Sequence, residues 1–251
     1  MPLRFIFLAS NLLLLAPHSF SMVRSRALGQ FINWEALTTL RRVAVQPSLA
    51  VPHMRVTHVG CVDWTELKAA GIRGVAFDKD NTLTAPYSDE LDPVAQVSVE
   101  HCQKAFGTDR IVIMSNSAGG RDDTGWENAE AVENSLGINV LRHGKKKPAG
   151  GRELIEWFEA RNSESKGAIA AHEIAFVGDR LLTDVVFGNL LGMLTIHVKP
   201  LTLTGDNIAA RFVRSGENRI LLPFLGRIRK KAPVHPLESA MQTSFSRHHR
   251  T

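Results

Sequence analysis

Two aspartates, Asp78 and Asp80, stand two residues apart directly after the apolar run IRGVAF, in the stretch FDKDNTLTAPY. A carboxylate loses solvation when it is buried, so a pair at a strand end needs partners or a metal ion. One aspartate can attack a phosphoryl group and form an aspartyl-phosphate, while the other protonates the leaving alkoxide and later deprotonates water. An ordinary turn, in which Asp and Asn are common, is the alternative explanation.

A second acidic pair, Asp179 and Asp184, lies in the stretch VGDRLLTD. Together with Asp78 these carboxylates offer the hard oxygen ligands that Mg²⁺ prefers beside a phosphate. Each also has an ordinary explanation, because Asp179 can cap a helix and Asp184 can be a solvated acid favoured by the helix dipole. Asp179 and Asp184 indicate a metal site only when they are considered together with Asp78 and Asp80.

Ser115 and Asn116 follow another apolar run, in IVIMSNS. A hydroxyl group and the neighbouring backbone amides can hold a phosphoryl oxygen. A serine at this place is also a common turn or N-cap residue. In isolation the structural explanation is favoured.

A run of three lysines, Lys145, Lys146 and Lys147, precedes Pro148. A cation here can offset the negative charge that a phosphate and several carboxylates bring together. Spacing does not decide which of the three turns inward. Because proline is favoured at a helix start, Pro148 makes Lys147 the best fixed of the three.

From residue 72 onward, short apolar runs alternate with stretches of helical periodicity, which is the pattern of a parallel sheet in a three-layer α/β/α sandwich. The predicted strands are 72–77, 110–114, 138–141, 173–177 and 193–198, and the predicted helices are 91–106, 127–136, 149–161, 182–191 and 205–214. Ligands bind beyond the carboxyl ends of such strands. All four polar clusters follow predicted strands, so we expect them to form a single site.

The ordered stretches DKDNT, IMSNS, KKKP and VGDRLLTD resemble the four motifs of haloacid dehalogenase (HAD) superfamily phosphatases. Their residues are similar to those of the mitochondrial phosphatidylglycerophosphate phosphatases, over about residues 30–200 and including LRRVAVQPSLAVPHMRV at 40–56. The resemblance implies a Rossmann-like fold, with Asp78 as the nucleophile and Asp80 as the general acid/base. It places Thr82, Ser115 and Asn116 at the phosphoryl group, with Lys147 as the charge partner of that group. The implied Mg²⁺ ligands are Asp78, Asp179, Asp184 and the backbone carbonyl of Asp80.

The implied reaction is Mg²⁺-dependent removal of the terminal phosphate of phosphatidylglycerophosphate, which gives phosphatidylglycerol, the precursor of cardiolipin. A HAD phosphatase that acts on another soluble or macromolecular phosphomonoester is the alternative. A catalytically idle interaction protein with the same fold is a third hypothesis. The complete set of acids at 78, 80, 179 and 184 argues against idleness.

The spacing of the clusters predicts a minimal cap domain or none. Thr82 and Ser115 are 33 residues apart, and Ser115 and Lys147 are 32 apart. One helix and one strand use up each interval. An open site suits a head group presented by a membrane or a macromolecule, whereas small metabolites usually need enclosure.

The charge of +5 is distributed unevenly. Residues 1–56 contain six Arg against Glu35, and residues 227–251 contain six Lys or Arg against Glu238, so each end is +5 and the middle is 5 − 10 = −5. This argues against a nucleic-acid-binding surface and for ends that contact an anionic membrane peripherally. We therefore predict an N-terminal segment 1–56, a phosphatase domain 57–226 and a basic tail 227–251. The apolar stretch 220–226, followed by RIRKK, either rests on a bilayer or forms a last core helix.

The N-terminus has two interpretations. MPLRFIFLASNLLLLAP has the length of a signal-peptide core, which indicates the secretory pathway, whereas the acid-poor, Arg-containing stretch from Met22 to Arg55 is typical of mitochondrial import. Met22 can also serve as an alternative start. The resemblance implies the matrix face of the inner mitochondrial membrane.

Two cysteines, Cys61 and Cys102, are too few for a disulfide framework and predict a reducing compartment. The oligomeric state stays open.

Overall fold

A computed structural model describes residues 34–161, 167–202, 216, 219, 221–227 and 230–238. Its strands are β1 (Met54–Val56), β2 (Gly74–Phe77), β3 (Ile111–Ile113), β4 (Asn139–Val140), β5 (Ile174–Gly178) and β6 (Leu194–Val198). Its α-helices are α1 (Trp34–Val45), α2 (Trp64–Ala69), α3 (Pro93–Phe106), α4 (Glu127–Leu136), α5 (Gly151–Ala160), α6 (Val186–Leu191) and α7 (Leu222–Arg227). A π-helical turn, Leu181–Val185, leads into α6, and 3₁₀ turns occupy Pro47–Ala50, Val59–Cys61, Thr108–Arg110, Thr124–Trp126 and Ala171–Glu173.

The strands form one parallel sheet in the order β1-β6-β5-β2-β3-β4. From β2 the chain proceeds outward through β3 and β4, and then returns to the other side of β2 to form β5 and β6. The order therefore reverses between β2 and β5, and the crevice at such a reversal is where ligands bind in open α/β sheets. Asp78 and Asp179 follow these two strands directly.

Side chains of the central strands point alternately to the two faces of the sheet, which divides the core into two layers. On β2, Val75 and Phe77 face the cluster formed with α3 and α4, whereas Ala76 faces the cluster formed with α5 and α6. Successive side chains of a strand point to opposite faces. Because both faces are covered by helices, β2, β3 and β5 are apolar along their whole length, as parallel strands usually are. The predicted three-layer α/β/α sandwich is confirmed.

The five strands predicted from the sequence are confirmed, with bounds that differ by one or two residues. The helices predicted at 91–106, 127–136 and 149–161 are α3, α4 and α5, and the helix predicted at 182–191 is the π turn followed by α6. The helix predicted at 205–214 lies outside the described residues. In the fully described stretch 34–161, residues 78–92 between β2 and α3 form a loop with isolated bridges, not an inserted domain.

Residues 34–56, which the sequence assigned to the N-terminal segment, lie in the same compact unit as the sheet. Strand β1 pairs with β6, and Val43 of α1 packs with Leu182 and Leu225. The core-helix interpretation of 220–226 therefore holds for Leu225, whereas Phe224 keeps 52% of its surface exposed. Among the described helices, none combines the length and hydrophobicity that crossing a bilayer requires. Both cysteines are free thiols.

Candidate active site

The side chain of Lys147 lies between two carboxylates at the carboxyl edge of the sheet. Its Nζ is 2.6 Å from Asp78 Oδ1 and 2.7 Å from Asp184 Oδ1, and the lysine is 1% exposed. Burial alone would lower the pKa of Lys147, but Asp184 and Asp78 outweigh it and raise that pKa above its ordinary value. The lysine is therefore a fixed positive charge.

Negative charge nevertheless exceeds positive charge around Asp78. Burial raises the pKa of Asp78 to about 6, Lys147 opposes this rise, and Asp184 and Asp80 add to it. A paired carboxylate normally has a depressed pKa. Burial is the largest cause of this rise, and the excess of acids over the single lysine adds to it.

Asp179 is the third buried carboxylate of this group. Oxygen atoms of Asp78, Asp179 and Asp184 all lie within 4.8 Å of one another. Such a set, with a single ammonium group among three acids, has the chemistry of a site for a hard divalent cation such as Mg²⁺. The donor set fits the ion that the sequence predicts. We call Asp78, Asp179, Asp184 and Lys147 the buried half of the site.

The local fold explains how the acids meet. The backbone N–H of Asp78 continues the β2–β5 ladder by donating to Val177 O at 2.8 Å. The π turn then brings Asp184 back over the end of β5, where its Oδ2 accepts from Arg180 N at 3.0 Å. A Cβ added at Gly178 would lie 2.5 Å from the Asp184 carboxyl group, so the absence of a side chain there admits the acid.

Two buried histidines hold the loops beneath the acids. His197 on β6 donates from Nε2 to the backbone carbonyl of Asp179 at 3.0 Å, and burial lowers its pKa. The ring nitrogens of His143 lie 2.8 Å from Ser115 O and 2.7 Å from Lys145 O. These contacts fix the backbone that carries the reactive side chains, as outer-shell partners do in metal sites.

Asp80 lies in a more solvated environment. Its Oδ2 accepts from Ser117 Oγ at 2.8 Å, and its Oδ1 is 3.2 Å from both Tyr87 N and Lys79 Nζ. The Ser115 and Ser117 hydroxyls are 2.8 Å apart, which extends this chain of hydrogen bonds toward β3. Asp80 keeps 27% of its side chain exposed, so it can exchange protons with water. We call Asp80 and Ser117 the open half of the site.

Of the three lysines in KKKP, the structure brings only Lys147 to the acids. Lys145 is exposed, and Lys146 pairs with Asp122 at 2.7 Å. The sequence analysis predicted that Pro148 would fix Lys147 by starting a helix. This reason is wrong, because the helix begins at Gly151 and Pro148 lies before it. Asn116 fixes the turn instead, since its Oδ1 accepts from Lys147 N at 2.8 Å.

The phosphate-binding roles of Thr82, Ser115 and Asn116 stay predictions. The Thr82 hydroxyl is buried and, within the described part of the chain, has no hydrogen-bond partner. Ser115 is buried beside the open half, and the side-chain oxygen of Asn116 serves Lys147. The metal-ligand role of the Asp80 carbonyl is likewise a prediction.

Sequence reasoning missed five residues of the site: Lys79, Ser117, His143, Gly178 and His197. Lys79 is 3% exposed, and its Nζ lies 2.6 Å from Ser88 O and 3.4 Å from Asp89 Oδ1. Its position between two aspartates was the available signal. Nothing in the spacing indicates that this lysine is buried.

A parallel sheet with an acid pair after β2, a hydroxyl after β3, a lysine after β4 and two acids after β5 defines a protein of the HAD phosphatase class. The model of the family described as "Mitochondrial PGP phosphatase" matches residues 34–202. The chain belongs to this family.

Curated relatives agree with this assignment. "Phosphatidylglycerophosphate phosphatase 1, chloroplastic" of Chlamydomonas reinhardtii is 46% identical over 160 residues, 63% of this chain and 56% of that protein. The chloroplastic/mitochondrial protein of the same name from Arabidopsis thaliana is 41% identical over 201 residues, 79% of this chain and 55% of that protein. A mitochondrial phosphatidylglycerophosphatase of Saccharomyces cerevisiae is 30% identical over 181 residues, 72% of this chain and 89% of that protein. The chain thus spans about half the length of the two plant and algal relatives.

Proposed function

We propose that this protein is a Mg²⁺-dependent phosphatase that removes the terminal phosphate of phosphatidylglycerophosphate. The observation that carries the proposal is the contact of Lys147 with both Asp78 and Asp184, with Asp179 among the same acids and Asp80 two residues away. This arrangement supplies a fixed nucleophile and a separate proton carrier. The names of the relatives support phosphatidylglycerophosphate as the substrate.

In the first step, a carboxylate oxygen of Asp78 attacks phosphorus, and the bond from phosphorus to the ester oxygen breaks. Lys147 holds Asp78 in place through its 2.6 Å contact and offsets the charge of the phosphoryl oxygens. Asp80 donates its proton to the departing alkoxide. The products are an aspartyl-phosphate on Asp78 and the lipid alcohol, phosphatidylglycerol.

In the second step, Asp80 takes a proton from a water molecule that attacks the phosphorus of the aspartyl-phosphate. The bond from phosphorus to the Asp78 oxygen breaks, inorganic phosphate leaves, and both aspartates return to their starting states. Ser117 and Tyr87 N keep the Asp80 carboxylate oriented through both steps. Partial exposure of Asp80 gives it access to the water that this step consumes.

Mg²⁺, held by Asp78, Asp179 and Asp184, would screen the repulsion between the nucleophile and the phosphate. The balance of buried acidic and basic side chains explains why the positive charge of Mg²⁺ is needed. Three buried carboxylates face one buried lysine, and a dianionic substrate would add to the excess. Chelation should therefore abolish turnover.

A lipid substrate is consistent with the loops above the sheet. In the fully described stretch 34–161, residues 78–92 connect β2 to α3 without an inserted domain, and Ser117 in the loop after β3 is exposed. A head group that projects from a membrane can reach such a site. The alternative, a soluble or macromolecular phosphomonoester, requires the same chemistry and differs only in what carries the phosphate.

We also propose a mitochondrial location. The family description and the names of the Arabidopsis and yeast relatives include the mitochondrion, whereas the Chlamydomonas relative is named chloroplastic. Because residues 34–56 belong to the compact unit of the sheet, we expect residues 1–33 to direct a fluorescent reporter to mitochondria as well as residues 1–56 do. Delivery of both fusions to the secretory pathway or to plastids would contradict this location.

Phosphate release from the purified full chain tests the activity. The panel contains phosphatidylglycerophosphate in vesicles, glycerol 3-phosphate and p-nitrophenyl phosphate, each with Mg²⁺ and with EDTA. We expect the lipid to be hydrolysed fastest and only with Mg²⁺. Preference for a soluble ester would replace the lipid substrate with the alternative, and no release from any substrate would favour the idle interaction protein.

A further inference from the structure

A cluster of aliphatic side chains lies outside the two main core layers. It joins Val43 of α1, the turn residues Leu49, Ala50 and Val51, Leu182 and Val186 at the π turn, and Leu225 of α7. The outer components of this cluster are α1, the segment Pro47–Val51 and α7. We call these three segments the basic layer.

Helix α1 presents a cationic and apolar face to solvent. Thr39 and Val43, one turn apart, are buried, whereas Arg41, Arg42 and Val45 are exposed. Residues three and four apart share a helix face, so Val45 lies beside both arginines. Val45 keeps 83% of its surface in solvent, which places an unprotected aliphatic group next to two charges.

Helix α7 repeats this arrangement. Leu225 is 1% exposed within the cluster, while Phe224 and Arg227, three residues apart, are exposed. Each helix of the basic layer thus buries an aliphatic residue inward and displays arginine beside an apolar side chain outward. Helices that lie on membrane surfaces have this combination.

The three segments of the basic layer contain one acid, Glu35, against Arg41, Arg42 and Arg227, and the stretches of chain around them are poor in acids. Between Glu35 and Asp63 the charged residues are Arg41, Arg42 and Arg55. Between Glu217 and Glu238 they are Arg219, Arg227, Arg229, Lys230 and Lys231. Elsewhere the body of the protein is net acidic, so positive charge is concentrated here. Each Lys or Arg near an anionic bilayer surface contributes about 1 kcal/mol of binding.

The basic layer is attached to the candidate site by buried contacts. Leu182 and Val186, which it covers, stand two residues on either side of Asp184. Asn189 on α6 donates from Nδ2 to Leu49 O at 2.8 Å and to Val51 O at 2.9 Å. A surface that contacts the basic layer is therefore held at a fixed place relative to the acids.

We propose that the basic layer docks on an anionic lipid bilayer, with Arg41, Arg42 and Arg227 at the lipid phosphates and Val45 and Phe224 inserted at the interface. This inference rests on the proposed function, because it supplies the surface from which the lipid substrate is taken. Charge complementarity selects the occupant: the layer is cationic, and a bilayer containing phosphatidylglycerol is anionic and apolar beneath its head groups. A neutral bilayer offers only the apolar region beneath its head groups and lacks the negative charge.

Co-sedimentation of the full chain with vesicles of stated composition tests the docking surface. We expect binding to vesicles of phosphatidylcholine with phosphatidylglycerol and little binding to pure phosphatidylcholine. The double variant Arg41→Gln/Arg42→Gln should bind the anionic vesicles about thirtyfold more weakly, from two side chains at roughly 1 kcal/mol each. Phe224→Ser should remove the part of binding that survives 1 M salt, where the Debye length is about 3 Å.

The matched control is Lys104→Gln/Arg152→Gln, which removes the same charge from exposed positions on α3 and α5. It should bind like the wild type. Equal losses in both double variants, unchanged binding in Arg41→Gln/Arg42→Gln, or a wild type that ignores anionic vesicles would each overturn the proposal. Binding to poly(U) RNA through the same arginines, with no vesicle binding, would assign the layer to another partner.

A parallel assay with p-nitrophenyl phosphate separates this inference from the proposed function. If the wild type hydrolyses the soluble ester, Arg41→Gln/Arg42→Gln should retain that rate while losing vesicle binding. If it hydrolyses no ester, soluble or lipid, but still binds vesicles through Arg41 and Arg42, the phosphatase proposal fails and the docking surface stands.

Discussion

Asp78 and Asp80 are neighbours on one loop, yet they lie in different environments. Asp78 is bonded to a buried lysine and grouped with two more buried acids, whereas Asp80 accepts hydrogen bonds from a serine and a backbone amide beside solvent. The buried half is held rigid by charge, and the open half is connected to water by hydroxyl groups. Chemistry that needs a fixed nucleophile and a mobile proton can use both environments two residues apart.

The comparison predicts that the two halves respond differently to substitution. Changes in the buried half should alter activity and the free energy of unfolding together, because unpaired buried charges destabilise the fold. Changes in the open half should alter activity alone, because its groups can bond to water instead.

The largest effect is expected for Asp78→Asn. The amide removes the attacking oxygen and one cation ligand while keeping the volume, so phosphate release should fall by at least about 10³-fold. The rate is measured with saturating Mg²⁺, and circular dichroism serves as the control for folding. A folded variant with nearly wild-type turnover would exclude the covalent role of Asp78.

Lys147→Met should have the next largest effect, and it should show in stability. It leaves three buried carboxylates without their ammonium partner, which should lower the free energy of unfolding by about 3–5 kcal/mol in urea titrations without metal. Mg²⁺ should restore part of the loss, since it supplies positive charge at the same acids.

Lys146→Met is the matched control for Lys147→Met. Lys146 and its partner Asp122 keep 43% and 79% of their side chains exposed, and exposed pairs contribute little. Equal destabilisation by the two substitutions would show that the charge balance of the buried half is not what holds it.

Asp80→Asn should slow turnover by about 10²-fold, because it removes a proton carrier that both steps use. The amide oxygen can still accept from Tyr87 N, and the amide nitrogen can donate to the Ser117 hydroxyl, so urea titration should give a wild-type unfolding free energy. Ser117→Ala, which removes one bond to Asp80, should slow turnover less than Asp80→Asn does. A destabilised Asp80→Asn would erase the difference between the two halves.

The smallest expected effect concerns Asp123, which supports the loop of the open half. Its carboxylate is buried and accepts from Gly119 N, Asn128 N and Ala129 N, each at 2.9 Å. Burial alone would raise the pKa of Asp123, but these donors and Arg142 outweigh it and lower the pKa.

Because the folded-state pKa lies below the unfolded value of about 4, Asp123 stabilises the protein above that pH, and the stabilisation disappears as the pH falls through the folded pKa. Asp123→Asn should therefore cost about 2 kcal/mol at pH 7 and progressively less under acid conditions. Tm measured from pH 7 down to pH 3 checks this, with the exposed Asp122→Asn as control. A difference from wild type that does not change with pH would refute the assignment.

The sequence was sufficient to predict where the site lies. Apolar runs located the central strands, and the polar clusters after them located the carboxyl edge, because both signals are local. Strand β1 was missed since Met54–Val56 has only three residues next to proline and histidine. Helix α2 was missed although Asp63 caps it by accepting from Glu66 N, which is a signal visible in the sequence.

The hydrogen bonds and ion pairs within the site could not be predicted, because they depend on contacts between residues that are distant in the sequence. Asn116 has side-chain atoms that suit a phosphate or a backbone amide equally well, and only the folded chain shows that Lys147 N takes its oxygen. The burial of Lys79 likewise requires the sheet to be assembled.

Gly178 shows that a site can also depend on an atom that is missing. Any side chain there would begin 2.5 Å from Asp184, which no rotamer change at residue 178 can relieve, since the conflict arises at the Cβ itself. We therefore expect position 178 to tolerate glycine alone, for a reason unrelated to acid chemistry. In a saturation mutagenesis screen it would rank with the aspartates, although it has no side chain that could donate, accept or bind anything.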